Sequence, residues 1–242
     1  MNTALFARKT GAAFSVWLLA GAALQAQLPA GSPGGVSVAL TKLFGTATFF
    51  TAQVEVQVLD PSQKETLRMP MSFAELDGNI RVEINVAQIQ SRELSAKQVS
   101  GLKEAGLGRI VSIIRPDKKA SYLLYPAAQN YSMVPMPKEE AGMIGRNLQM
   151  EKTVLGKETA DGLPCVKQRV TVKDGQRVVL EAVTWNAPGL KDFPVRVETK
   201  DKGSTSIMSF RQIQFARPDA KLFEIPANYQ PAGLSIKTSP GK

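Results

Sequence analysis

The chain has 242 residues, 30 Lys and Arg against 21 Asp and Glu, a formal charge of +9, no histidine and one cysteine. Without histidine there is no Ser-His-Asp or Cys-His nucleophile, no imidazole acid-base step and no His-ligated metal. A single cysteine excludes an intramolecular disulfide, a CxxC redox pair and a Cys-rich zinc site, while a hydrophobic share of 43% is that of a folded globule.

Arg8 and Lys9 precede an acid-free apolar run from Gly11 to Leu24. That run is short for a bilayer span and fits the h-region of a secretory signal, so residues 1–26 are read as a signal peptide cleaved after Ala26. Export changes the meaning of the basic charge. Lys and Arg are scattered along alternating segments and are not interleaved with aromatics, so nucleic acid is not expected as a partner. Weak peripheral contact with anionic lipid surfaces, or plain solubility, accounts for them.

A Gly/Pro/Ser-rich linker over residues 27–35 leads into a single domain expected over 36–230, with a flexible tail at 231–242. Val36 to Phe44 predicts a short helix with Leu40, Leu43 and Phe44 on one face. Val54, Val56 and Val58 then alternate with Gln53, Glu55 and Gln57, and Met69, Met71 and Phe73 share a face beyond the Asp60-Pro61-Ser62 turn. Asp77-Gly78-Asn79 is a hairpin signal, followed by Ile80, Val82, Ile84 and Val86 in strict alternation. Ser95 to Leu107 changes to a helical period, with Ser95 and Gln98 at capping-box spacing and Gly106 to end it. Strands return at Ile110 to Ile114, Ser121 to Tyr125 and Tyr131 to Met136, and a weaker helix at Lys138 to Leu148 is interrupted by Gly142 and Gly145. From Asn147 everything reads as strands and turns, with hairpins at Val166–Val172/Val178–Trp185 and at Phe193–Thr199/Ile207–Phe215. The fold class is α+β, mainly antiparallel β, with a few helices on one side.

Motifs for chemistry fail. Ser100 and Lys103 have SxxK spacing but no SDN or KTG partner. Gly106-Leu-Gly108 opens no dinucleotide loop, because Val111 stands at the last glycine and a strand follows. The aspartates occupy turns, and no calcium loop is present. No enzyme, cofactor or metal is expected. Cys165 is read as a buried small residue, with pairing to a partner as the alternative. Met69, Met71, Met133, Met136, Met143, Met150 and Met208 either fill a core or line an adaptable pocket.

The opening Val36 to Val58, with Phe50-Thr-Ala-Gln-Val-Glu-Val, resembles that of LolA-like periplasmic proteins. Arg109-Ile-Val-Ser-Ile-Ile-Arg-Pro-Asp-Lys-Lys-Ala-Ser-Tyr122-Leu-Leu-Tyr125-Pro126 resembles a branch of the same superfamily. Gly156-Lys-Glu158, Gly162-Leu-Pro-Cys165, Trp185, Phe193-Pro-Val-Arg196-Val-Glu198 and Pro218-Asp-Ala-Lys-Leu-Phe223-Glu-Ile-Pro226 follow in the order of that branch. The resemblance implies a curved half-barrel sheet, its apolar concave face covered by two or three short helices, in the periplasm of a diderm bacterium. It also implies a lipid or acyl-chain ligand, with lipoproteins or an envelope protein as further partners.

Two functions follow. In the first, an apolar cavity formed by Met69, Met71, Phe73, Val82, Ile84, Val99, Leu102, Tyr122 and Leu124 holds a lipid, acyl chain or lipoprotein. An Ile84→Asp change is then expected to abolish lipid co-purification in a protein that still folds. In the second, the chain is an envelope stress-sensing or assembly module whose sheet edge or helix face binds another protein. An open apolar groove favours the first, and a concavity filled by side chains favours the second.

Overall fold

In Phe49–Leu59 (β1), Phe50, Ala52, Val54, Val56 and Val58 are buried on one face while Gln53, Glu55 and Gln57 stand on the other. That period of two is the sequence alternation made physical. The computed structural model describes residues 38–232, so the expected signal peptide, the linker and most of the tail lie outside the described residues.

The elements run in chain order as α1 (Val38–Thr41), β1, β2 (Glu65–Leu76), β3 (Asn79–Asn85), β4 (Gln90–Ser91), α2 (Ala96–Leu102), β5 (Arg109–Arg115), β6 (Ala120–Tyr125) and β7 (Asn130–Pro135). They continue with α3 (Lys138–Ala141), β8 (Gln149–Ala160), β9 (Leu163–Asp174), β10 (Arg177–Ala187), β11 (Phe193–Asp201), β12 (Ser204–Gln214) and β13 (Gln230–Pro231). One 13-stranded sheet has the order β13-β7-β6-β5-β3-β2-β1-β12-β11-β10-β9-β8, with β4 added beside β2. Every pairing is antiparallel except the short β13–β7 contact. The path does not close, which makes this an open α+β half-barrel with edges at β8 and β13.

Asp77-Gly78, Asp161-Gly162 and Lys202-Gly203 each join two strands with both loop residues at positive φ. That geometry matches the right-handed strand twist, and the loops at Asp77 and Lys202 are two of the expected hairpins. Ser95 and Gln98 form the full capping box at α2, and the chain turns at Gly106 (φ 79°) after a wider turn over Lys103–Leu107. The other two expected helices are shorter. Val38–Thr41 passes into a 3₁₀ turn at Lys42–Phe44, and the segment after Pro137 makes only four helical residues before Gly142. Among the described residues no helix is long and apolar enough to cross a membrane.

Each face of the sheet carries an apolar cluster. The larger lies on the concave face and runs from β5 across β1 to β9, with α1, α2 and the segment after α3 packed on it. The smaller lies on the outer face around Leu76, Val111, Ile113 and Leu124, under Phe223 of the 3₁₀ turn Ala220–Phe223.

Candidate functional site: the concave face and its mouth

Strand register places the concave side chains in rows. Val54, Met71, Ile84 and Ile110 face one another across β1, β2, β3 and β5, and the next row is Ala52, Phe73, Val82 and Ser112. The third row is Phe50, Glu75, Ile80 and Ile114. Met69, Met71, Phe73, Val82, Ile84 and Leu102 are all buried here, and Val99 packs half-buried against them.

The concavity is filled by the protein's own side chains. Ala39, Leu40, Leu43 and Phe44, from α1 and the turn after it, are buried against the sheet although α1 belongs to no strand ladder. Phe44 stacks on Phe193 at 5.6 Å with planes 3° apart and meets Phe50 edge-on at 5.0 Å, Phe73 at 5.9 Å and Phe210 at 5.6 Å. These are favoured aromatic geometries, so the turn is a well-fitted plug.

Two clefts bracket the plug. One, of about 360 Å³, lies between Val38 and Lys42 on one side and Ile80, Ile114 and Ile144 on the other. The second, of about 500 Å³, lies between Ala39, Lys138 and the β9–β10 hairpin at Arg177 and Val179. Met143 and Arg146 line both. Volumes of this order fall in the roughly 300–1,000 Å³ range of small-molecule sites. Arg146 donates to Asp174 at 2.6 Å, joining the segment after α3 to the hairpin, and buried Glu140 accepts the Val38 N–H at 3.0 Å.

Glu75 is the ionisable member of the concave rows, which also hold the buried Ser112. It is 4% exposed, and its Oε2 has no hydrogen-bond partner among the described residues. Burial, with the nearby Asp77 carboxylate adding to it, pushes its carboxyl up to about 8. The sequence reading missed it, although the signal was available: Glu75 continues the two-residue step of Met69, Met71 and Phe73.

Two expected cavity residues lie elsewhere. Tyr122 pairs with Ile113 and Leu124 with Val111, which places both in the outer-face cluster and on the side opposite Met71 and Phe73. Strand β6 offers an apolar or aromatic residue in either phase (Tyr122 and Leu124, or Leu123 and Tyr125), so alternation could not choose its face. Its outer side is covered by the chain around Phe223, which rewards apolar residues there too. Ser100 donates to Glu104 at 3.3 Å in an exposed stretch, and Cys165 is buried with its thiol donating to the Leu163 carbonyl at 3.3 Å. No cluster of three or more metal-ligating side chains stands among the described residues.

The motifs that carried the family resemblance form two separate sets of contacts. Arg115 donates to both oxygens of Asp117, at 2.9 and 2.7 Å, and to the Phe223 carbonyl and Glu224 at 3.0 Å each. Its guanidinium thereby clamps the 218–226 motif over Leu76 and Ile113. Trp185 donates to Glu158 at 2.8 Å, and its ring lies 4.9 Å from the Lys167 ammonium and 4.7 Å from the Arg196 guanidinium.

Residues 182–229 match the family described as "Domain of unknown function (DUF4412)". No curated protein sequence matches the chain. The expected likeness to LolA-like proteins is found again among solved structures. A LolA superfamily protein from Nitrosomonas europaea is similar at 11% identity and TM-score 0.37, over 78% of this chain and 98% of that one. LprF from Mycobacterium bovis is similar at 16% identity and TM-score 0.40, over 79% and 95%. The Pseudomonas aeruginosa MucA/MucB complex contains a chain similar at 13% identity and TM-score 0.39, of which 60% is covered by 78% of this one.

Proposed function

We propose that the protein is an exported binding protein that takes the acyl chain of a lipid or lipoprotein into its concave face, with the plug around Phe44 giving way to it. The observation that carries this reading is the plug itself. A continuous apolar surface is closed by a short segment held through side-chain packing, with a cleft on either side. Re-exposing Leu40, Leu43 and Phe44 costs about 5–9 kcal/mol, whereas burying twelve methylenes contributes about 10 kcal/mol. An acyl chain of ordinary length therefore competes with the plug without a strong polar anchor. Lys42, Lys138 and Arg177 line the mouth with Glu139, Glu140 and the Arg146–Asp174 pair, a mixed-charge rim that suits a zwitterionic head.

The filled concavity is the outcome expected of the second reading, a module that binds another protein, whereas the lipid reading requires the plug to be displaced. The protein-binding reading has its supporting feature in the edge strand β8, where Val154 and Leu155 are exposed. Against it, β8 carries a bulge between Val154 and Gly156 and the charged Lys152 and Lys157, devices that discourage strand addition. Lipid analysis by mass spectrometry of the protein gently isolated from its own periplasm separates the two. A stoichiometric acylated species is expected. A protein that is empty and carries a stoichiometric polypeptide instead overturns the lipid reading.

A further inference from the structure

A buried polar atom without a partner is an exception that asks for a cause. Glu75 Oε2 is such an atom on the concave face, between Phe50 and Ile80 across the neighbouring strands. Ile80 and Gly78 form a wall of the cleft of about 360 Å³ beside α1. No cation pairs with Glu75 among the described residues, its apolar neighbours disfavour the charged form, and Asp77 nearby disfavours it further. A neutral carboxylic acid has an O–H to donate as well as an oxygen that accepts.

We propose that Glu75 is the polar anchor of the concave site, its protonated carboxyl donating a hydrogen bond to the acyl carbonyl of a bound amphiphile. The inference rests on the lipid-binding reading and adds the group that fixes the depth and direction of the chain. An ester of a lipid and an amide of an acylated polypeptide present the same acceptor. A ligand ammonium is a different case, since it would need the ionised form that these surroundings oppose.

The test uses the mature protein and three probes of equal chain length: palmitoylglycerol carrying a ¹³C carbonyl, an N-palmitoylated peptide, and a plain alkane. Affinities are measured for wild type, Glu75→Gln and Glu75→Leu. Both variants lose a buried ionisable group, so both are expected to fold, with thermal unfolding as the check. Glu75→Leu is expected to weaken the two acyl probes about three- to tenfold while leaving the alkane unchanged, a factor suited to one neutral hydrogen bond. Glu75→Gln keeps a donor and is expected to stay within about threefold of wild type, with the ¹³C carbonyl shift preserved. The tighter of the two acyl probes identifies the source of the acyl group. Equal binding of the acyl probes by wild type and Glu75→Leu overturns the inference and leaves the lipid reading standing. Loss in both variants overturns the neutral-donor form. A wild-type protein that binds none of the probes overturns the lipid reading, and the anchor with it.

Discussion

Phe44 and Phe193 lie face to face, ring centroids 5.6 Å apart and planes within 3° of parallel, and through this pair a turn of the amino-terminal segment is seated on strand β11. Phe50 touches both rings, at 5.0 Å from Phe44 and 4.8 Å from Phe193. The plug is thus part of the core in energetic terms while being separate from the sheet in topology. On the proposed reading, that combination lets one element both stabilise the protein and give way to an acyl chain.

Phe44→Ala separates these two roles. Removing a ring that is 3% exposed is expected to lower stability by about 3–5 kcal/mol in urea unfolding. If the ring occupies the place of an acyl chain, the same variant also binds palmitoylglycerol more tightly than wild type. A destabilised protein with unchanged affinity would mean that the chain enters elsewhere.

Glu75 sets a pH dependence whose sign is unusual for a carboxylate. Its pKa is raised from 4.5 to about 8, so between these values the folded protein holds a proton that the unfolded chain has released. Stability from this group is fully present below about pH 4.5 and falls as pH rises towards 8, by about 5 kcal/mol in total at 1.36 kcal/mol per unit. Glu75→Gln is expected to remove that slope and to be the more stable protein at pH 8. Parallel urea midpoints for the two proteins from pH 5 to 8 would show that Glu75 does not titrate in this way.

The strand map was legible because β1 and β3 bury one face only, so Val54 and Ile84 alternate with residues that stay outside the core. The candidate concave face was legible to the same extent and no further. On β6 both faces are apolar, and the side of Tyr122 and Leu124 depends on a cover contributed from Phe223, about a hundred residues away, which no local pattern reports. Glu75 shows the converse: its phase placed it inside, and only attention to apolar residues passed over it. The family motifs were misleading guides to a site. Arg115 and Phe223 join distant parts of the chain on the outer face, and Glu158 and Trp185 join β8 to β10, so their order in the sequence speaks for the fold.

Ile84→Asp is a poor probe of binding, because Ile84 is 4% exposed within the main core and an uncompensated carboxylate there should unfold the protein. Met143 is the better choice, being half-buried and lining both clefts. Met143→Asp is expected to cost about 1–2 kcal/mol, since the side chain is half-buried against the core, and to leave the protein folded. It should also cut lipid co-purification severalfold by placing charge at the mouth. Undiminished lipid in the folded Met143→Asp protein would move the entrance away from the clefts beside α1.

Arg115 offers a test of the outer-face clamp that does not depend on any ligand. Its side chain is 12% exposed, whereas Asp117 and Glu224 are more than half exposed, so the Phe223 carbonyl is its best-shielded acceptor. Arg115→Ala is expected to cost about 2 kcal/mol, the scale of a charged hydrogen bond. Amide exchange at Leu222 to Glu224 should rise with it as the strap loosens. Arg115→Lys is expected to recover only part of the loss, since an ammonium cannot reproduce the planar fork that grips Asp117 while reaching the strap. The double variant with Phe223→Ala distinguishes a clamp from a mere surface ion pair. If Arg115 acts by holding Phe223 over Leu76 and Ile113, the two losses overlap and their sum exceeds the loss in the double variant. Strict additivity would show that Arg115 stabilises its own turn at Asp117 and nothing beyond it.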